Sequence, residues 1–583
     1  MTRTYIQVPE RPWLTQFYQH CQRDPSARFI RDLESDKEAT WAEFLLEVLV
    51  HRERLKHQLD SETLQRLQDP NDEVFIAIIA AGGFDYAVLL FAIVTLGAVV
   101  VPLRPQVHPE EARYFLETCN AALVTSSQQA APHAESLCAS LNIPHFAITP
   151  SHTDISTLTF ELIPQSSEFD IPPYDPTRGF SLLYTSGTTG PSKGVLSSSG
   201  AILAGTENYK ERLALCHDDT WLHQMPAHWK GGFDFVLAAA HTGATVEFCS
   251  GVFSPCWFWE RMRRGCTEDE GIEPITCFLG APMTLSALKE GLDSIATDEE
   301  RNASLRGLNC IRVLLTGSVR VPDEVKNVWR GLRGGRELVN MYGFTEVAGM
   351  ISMTDWDAVG AVSTDNCGRH NPAVKVKVND DGEICVKGPL LMKRYISSDP
   401  NVMQNVHDAE GFYKSGDMGS ITPAGEIVVS GRANQDVIRF NGYKVHSGPL
   451  EDALRSHPHI TQAFVLGVPD SLYGERITAI LLQKNTPDGE IIQDMTLASL
   501  RYWLAVENNP QQPAFKLPGL LKVIPSSEFR GLTDSGKPSK KKIREIYFSE
   551  EELEKSDVQV WDFETEEHYP GDRAWDWEGR PPR

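Results

Sequence analysis

Positive charge is scarce in this sequence. Against 79 Asp and Glu stand 55 Lys and Arg, a formal net charge of −24. A deficit of that size excludes non-specific binding to nucleic acid or to an anionic membrane, because both need a basic face. Any anion must instead be held by a local cluster of donors. Ordered cysteine spacing is missing too. The 11 cysteines, an odd number, run from Cys21 to Cys385 with no CxxC pair and no Cys/His ligand spacing. That excludes a structural zinc and a disulfide framework and points to reduced thiols in the cytosol. The opening stretch, MTRTYIQVPERPW, has no apolar leader segment, and the closing EGRPPR is not a Ser-Lys-Leu address. The expected localisation is cytoplasmic. No internal repeat is found.

Long apolar runs are almost absent, and the one exception imitates a membrane span. YAVLLFAIVTLGAVVVPL, Tyr86 to Leu103, is roughly the length of a spanning helix. Asp85 before it and Arg104 after it leave no apolar margin, and Gly97 and Pro102 break it. With DEVFIAIIA upstream it reads as a β-α-β unit of a parallel sheet, buried on both faces. No membrane span is expected.

The chain has 583 residues, too many for one ordinary core, so at least two domains are expected. Short β-rich runs recur: AALVTSS, IPHFAIT, ATVEFCS, PITCFLG and IRVLLTG. Several follow helical periodicity, as in HPEEARYFLETC. The fold class is α/β with mostly parallel sheets. From about 374 the pattern changes. VKVKVNDDGEICVKG and GSITPAGEIVVSGR read as antiparallel hairpins turning on small or acidic residues. After Arg432 a smaller α/β unit runs to Phe548. The remainder, 549–583, is acidic, carries Trp561, Trp575 and Trp577, and is expected to be disordered or draped on the body.

Within LLYTSGTTGPSKGV, residues 182–195, hydroxyls, glycines and one lysine share a loop behind an apolar strand. It is not a Walker A loop. Gly187, Gly190 and Gly194 let backbone N–H groups approach an anion, Thr185, Ser186, Thr188, Thr189 and Ser192 offer hydroxyls, and Lys193 adds a point charge. A second glycine-lysine segment, GLTDSGKPSKKKIRE, places Lys537 before Pro538. Without a hydroxyl for Mg2+ or an apolar strand before it, that segment is not a P-loop; its lysine sits on a turn from which it can be brought to a phosphate.

With NMYGFTE (340–346), YKSGDMG (413–419) and SGRANQDVIRFNGYKV (430–445), these two segments make five motifs in order. The chain resembles the adenylate-forming superfamily of acyl-CoA synthetases, peptide-synthetase adenylation domains and luciferases, over roughly residues 10–548. The resemblance implies a large N-terminal domain, 1–431, with a small β-barrel-like subdomain, a small mobile α+β C-terminal domain, 432–548, and the tail 549–583. It implies ATP, Mg2+ and CoA as cofactor and co-substrates. Thr185 to Gly190 and Lys193 would hold the leaving phosphates. Gly317, Ser318, Asn340, Tyr342 and Gly343 would surround the adenine. Thr345 would bond the α-phosphate, Glu346 would hold Mg2+, and Asp417 with Arg432 would take the ribose. His228 would guard the carboxylate site, and Lys537 would bridge carboxylate and α-phosphate. Gly442 would let a strand approach the CoA arm. Asn434 matches the hinge position, with about one extra residue before Gly442. Arg439, Lys444 and Lys540 to Lys542 are either a footing for CoA phosphates or an ordinary solvated face. Taken singly, each of these side chains would be an ordinary solvated or core residue; it is the ordered set that carries chemistry.

The implied reaction activates a small carboxylic acid as an acyl-adenylate and passes it to CoA. Two alternatives stay open: a stand-alone adenylating enzyme that loads a carrier protein in trans, and a catalytically weak nucleotide-binding or interaction protein using the Trp-containing tail. Malonate-type members place an arginine where this chain has Ala287, which favours a monocarboxylic acid. Lys230 could substitute for that arginine, but beside Trp229 it is expected to face solvent.

Overall fold

The computed structural model describes residues 4–32, 37–149, 151, 155, 158–164, 174–185, 192–249, 252–266, 272–360, 365–432, 436–440, 443–470, 473–483, 495–508, 516–533, 538–553, 555 and 557–562. It is a mixed α/β structure. One sheet has seven strands in the order Arg394–Ile396, Lys193–Ser198, Gly179–Thr185, Val99–Leu103, Phe75–Ile79, Leu123–Ser126 and His145–Ala147. At its centre lies the apolar run that imitates a membrane span. Phe75–Ile79 and Val99–Leu103 pair in parallel, and every residue of both is buried. The helix Phe84–Leu96 joins them and ends at Gly97, whose φ of 97° is left-handed and suits glycine. A strand buried on both faces has no polar alternation, which is why the run looks like a membrane segment in one dimension. Among the described residues no helix is long and apolar enough to cross a membrane.

The second sheet has thirteen strands and changes character along its length. Arg28–Asp32, Thr245–Phe248, Thr220–His223, Cys277–Leu279, Val313–Gly317 and Val339–Tyr342 are parallel neighbours. Beyond Val339–Tyr342 the partners are antiparallel: Ser352–Met353, Asn366–His370, Glu426–Arg432, Tyr413–Ile421, Glu383–Lys387 and Lys375–Val378. The two hairpins expected from 374 onward are present. They turn at Gly382 and Gly425, with φ of 86° and 80°. The antiparallel strands therefore continue the parallel sheet in hydrogen-bond order, and the change falls at Val339–Tyr342. Loops leaving the carboxyl ends of parallel strands diverge at such a point and open a crevice.

The last sheet runs Tyr443–His446, Val437–Phe440, Gly474–Gln483, Leu520–Pro525 and Val558–Val560, with Ile460–Asp470 also paired to Gly474–Gln483. It carries apolar clusters of its own on both faces. The described residues just past Phe548 lie on the body, joined to the C-terminal sheet. Val558–Val560 pairs antiparallel with Leu520–Pro525. Trp561 is buried, its backbone N–H donates to the Gly519 carbonyl at 2.9 Å, and the Arg501 guanidinium lies 4.2 Å from its ring centre. One buried tryptophan and a three-residue strand are too short to register in an acidic composition. Trp575 and Trp577 lie outside the described residues.

Candidate active site

The strand Val339–Tyr342 ends where the sheet changes from parallel to antiparallel, and Tyr342 is its last residue. Its hydroxyl donates to Asp417 Oδ2 at 2.9 Å. Asp417 lies on Tyr413–Ile421, in register with Arg432 on the neighbouring strand. Arg432 Nε is 3.0 Å from Asp417 Oδ1. Burial pushes the Asp417 carboxyl up, while the Arg432 charge and the Tyr342 hydroxyl pull it back in part. Burial opposes the charge of Arg432, but the carboxylates of Asp417 and Glu346 outweigh it and raise the guanidinium further. Burial, then Asp417, lifts the Tyr342 phenol well above its usual range, so it remains a neutral donor. The result is a fixed, hydrogen-bonded acceptor at the crevice edge.

Asn340, two residues earlier, is buried. Its Nδ2 donates to the Asn366 carbonyl at 3.0 Å, and its backbone N–H donates to Thr354 Oγ1 at 2.9 Å. Gly317 ends the adjacent parallel strand with φ of 156°, and a Cβ there would lie 2.6 Å from the Met341 carbonyl oxygen. Only glycine permits that approach. Ser318 follows at φ of 70°, a left-handed conformation unusual for serine. Strain of this kind persists where the surroundings over-determine it.

Gly343 to Glu346 turn away from the strand and are partly exposed. The Met392 N–H donates to the Glu346 carbonyl at 2.8 Å, and Ala348 N–H to the Leu390 carbonyl at 2.8 Å. The Glu346 carboxylate accepts from the Tyr395 hydroxyl at 2.5 Å, and that hydroxyl also meets the Tyr413 hydroxyl at 2.8 Å. Lys193 Nζ stands 5.3 Å from the centre of the same Tyr395 ring. Thr185 pairs with Lys193 across the antiparallel strands, its Oγ1 donating to the Lys193 carbonyl at 3.3 Å. Lys193, at one end of the glycine-rich loop, and Glu346 thus meet at one tyrosine. Ser186, Gly187, Thr188, Thr189 and Gly190 of that loop lie outside the described residues, as do Asn434, Gly442 and Lys537. Tyr395 was not visible as a site residue in the sequence: it lies in MKRYIS with no local signature, and only strand pairing with Val195 brings it in.

His228 precedes the helix Lys230–Thr242. Burial, with a smaller effect of Arg104, holds its imidazole down to about 4, so it is neutral near pH 7. Lys230 does not face solvent. It is mostly buried and its Nζ donates to Asp234 Oδ2 at 2.5 Å, one helical turn on. The Tyr209 hydroxyl donates to the same oxygen at 3.0 Å. A carboxylate already buried at Asp234 outbids water for the ammonium, which the local sequence around Trp229 does not reveal. Lys540 is likewise turned inward. Its ammonium sits 2.6 Å from Asp436 and 2.9 Å from Glu451 and also donates to Ser447 Oγ. It therefore ties the segment after Arg432 to the helix Ser447–Arg455 and the helix Lys540–Tyr547 rather than offering a footing for CoA phosphates. Lys541 and Lys542 are exposed.

Among the described residues no three His, Cys, Asp or Glu side chains converge as a metal cage. The hard oxygens on offer are those of the Glu346 carboxylate, with the hydroxyl of Thr345 as its neighbour in the chain. That donor set fits a magnesium ion that takes its remaining ligands from phosphate and water, which is its habit, rather than a metal enclosed by protein.

A family model described as AMP-binding enzyme matches residues 17–396. The chain is 30% identical to the malonate–CoA ligase of Arabidopsis thaliana over 64% of its own length and 61% of the relative's. It is 27% identical to the acyl-CoA ligase oryP of Aspergillus oryzae over 93% of both chains. The ATP-bound crystal structure of MatB from Rhodopseudomonas palustris superposes with a TM-score of 0.73 at 20% identity, covering 91% of this chain and 98% of that one. The chain thus spans about three-fifths of the Arabidopsis relative and nearly the whole of the Aspergillus one.

Proposed function

Because the chain belongs to the AMP-binding enzyme family, we propose that it activates a carboxylic acid with ATP and transfers the acyl group to CoA. A carboxylate is a poor acyl donor, since its leaving group would be oxide. In the first step a carboxylate oxygen bonds to the α-phosphorus, the bond from that phosphorus to the bridging oxygen breaks, and pyrophosphate leaves. In the second the CoA sulfur bonds to the acyl carbon, the thiol proton is released, and AMP leaves. Two anions meet in the first step, so orientation and preorganised positive charge lower the barrier.

The observation that carries this reading is the Tyr342–Asp417–Arg432 cluster beside Glu346 and Lys193. Asp417 would accept the ribose hydroxyls; the donors Tyr342 and Arg432, which hold its carboxylate, support this role. Tyr342 offers a ring to the adenine, with Gly317, Ser318, Asn340 and Gly343 around it. Lys193 and the loop from Thr185 to Gly190 would hold the departing phosphates, and Thr345 the α-phosphate. Glu346 would hold a magnesium ion, which when bound neutralises phosphate charge. Neutral His228 screens the carboxylate side without adding charge. From their motifs, Lys537 would reach the α-phosphate and Gly442 would line the path of CoA. We place the boundary between a large N-terminal domain and the small C-terminal one at 431/432.

Two features support a monocarboxylic acid. Position 287 carries alanine, and Lys230 spends its charge on Asp234. The name of the Arabidopsis relative favours malonate as the second reading. Pyrophosphate release from Mg·ATP across mono- and dicarboxylic acids, with and without CoA and with thioesters identified by mass, separates them. One monocarboxylic thioester supports the first reading; malonyl-CoA replaces it with the second. Acid-dependent release without thioester turns the proposal toward a carrier protein in trans. No release with any acid overturns it.

A further inference from the structure

The segment 390–396 is built as a strap between two parts of the site that are far apart in sequence. At one end its backbone is tied to the Glu346 turn: Met392 N–H to the Glu346 carbonyl at 2.8 Å, Ala348 N–H to the Leu390 carbonyl at 2.8 Å, and a bridge between Leu391 and Val347. At the other end it joins the strand Lys193–Ser198: Lys393 N–H donates to the Leu196 carbonyl at 2.8 Å, and Tyr395 is in register with Val195. The residues flanking Tyr395 are clamped. Lys393 Nζ and Arg394 Nη2 grip the two carboxylate oxygens of nearly buried Glu73 at 2.8 and 2.6 Å. Tyr395 has little freedom to move. Its hydroxyl touches the Glu346 carboxylate and the Tyr413 hydroxyl, and its ring faces Lys193 Nζ at 5.3 Å.

We propose that Tyr395 is the positioning residue of this site: its hydroxyl sets the orientation of the Glu346 carboxylate toward a divalent cation, and its ring sets Lys193 toward the triphosphate. The proposal rests on the ATP-dependent reading above. A carboxylate oxygen fixed by a phenol donor presents its remaining lone pairs in one direction, as outer partners of metal ligands do. The ring face attracts the ammonium without neutralising it, so the lysine keeps its charge for phosphate. An ion pair with Glu346 would have cancelled both charges. Placing one aromatic between them keeps the cation for the phosphates and the anion for the metal.

The two functions of the side chain separate by substitution. Tyr395→Phe removes the hydroxyl and keeps the ring; Tyr395→Leu removes both. The measurement is calorimetric titration of the full-length protein with ATP, in EDTA and in saturating Mg2+, with thermal melting as the control for folding. In Tyr395→Phe the gain in ATP affinity that Mg2+ brings is expected to fall about tenfold or more, while affinity in EDTA is unchanged. Tyr395→Leu is expected to lose a further factor of about two to five in EDTA. Tyr413→Phe, which removes one partner of the Tyr395 hydroxyl but leaves its contacts with Glu346 and Lys193 in place, is expected to lose less than Tyr395→Phe and serves if the latter melts early. A Tyr395→Phe protein with the full Mg2+-linked gain overturns the positioning role and leaves the ATP-dependent reading intact. Unsubstituted protein that binds no ATP, or binds it equally with and without Mg2+, overturns that reading and the positioning role with it.

Discussion

Asp417 keeps a carboxylate at a site where burial favours its protonated form, and two donors hold the charge in place. Asp417→Asn removes the charge while leaving the shape, so Arg432 faces a neutral amide. Hydrogen bonds to charged groups are worth about 1.5–3 kcal/mol. A fall of roughly 10- to 100-fold in kcat/KM for ATP is expected in pyrophosphate release, and an unchanged value would remove Asp417 from the site. His228 makes a different statement. Burial holds it near 4 in the fold, whereas an exposed imidazole titrates near 6.5. Between those values the unfolded chain binds a proton that the folded chain refuses. Stability is therefore full above about pH 6.5 and declines as pH falls toward 4, by up to about 1.4 kcal/mol per pH unit for each such histidine. His20, held near 4 by burial, adds to the same window. His228→Gln should flatten the pH dependence of Tm between 6.5 and 4; a slope identical to the parent's would show that the imidazole titrates normally. Motif order made Asp417 and His228 readable as candidates, since each stands in a run of characteristic neighbours. Tyr395 and Asp234 have no such neighbours, and only packing discloses them.

The helix Lys540–Tyr547 begins with a lysine that sequence alone leaves ambiguous. Its ammonium is enclosed by Asp436, Glu451 and Ser447, and burial notwithstanding, the two carboxylates raise it above the usual lysine range. Removing one partner of a buried ion cluster leaves charges without compensation and costs about 3–5 kcal/mol. Lys540→Ala is expected near the lower end, on the order of 3 kcal/mol, because the Asp436 side chain keeps 27% exposure. Chemical denaturation followed by tryptophan emission should register the loss. The CoA concentration for half-maximal thioester formation should stay as in the parent; a large rise there would restore Lys540 to the CoA footing. Elements were legible where their period was strong. The β-α-β unit, the two hairpins and the strands near 121, 143, 244, 274 and 311 all stand where alternation or apolar runs place them. Val558–Val560 was not, because three residues carry too little pattern against an acidic background.

Among the described residues, the Arg320 side chain links strands of the large sheet to the C-terminal sheet's helix. Arg320 is paired with Asp365 near the sheet's antiparallel strands and with Asp452 on the helix Ser447–Arg455. All three are partly exposed, so the contact is worth no more than about 1 kcal/mol. That is enough to bias one arrangement and little enough to be released. Arg320→Ala should lower the calorimetric transition of the C-terminal unit and leave that of the large sheets in place, and raised salt should mimic it in the parent. Equal shifts of both transitions would show that Arg320 is not the joint.

By itself the sequence determined the chemical inventory. The deficit of positive charge, the loop with its hydroxyls and lysine, the order of five motifs and the apolar runs set the fold class, the family and most of the candidate residues, because these depend on composition and on neighbours a few positions apart. The tertiary structure decided which of those residues meet. Lys193, Glu346, Tyr395, Tyr413, Asp417 and Arg432 span some 240 positions and become neighbours only through sheet order and register. It also decided the direction of lysines 230 and 540, whose partners lie on faces that exist only after packing. Local periodicity fixes which face of a strand is apolar; it does not fix which strand lies beside it, since pairing depends on burial summed over the whole sheet.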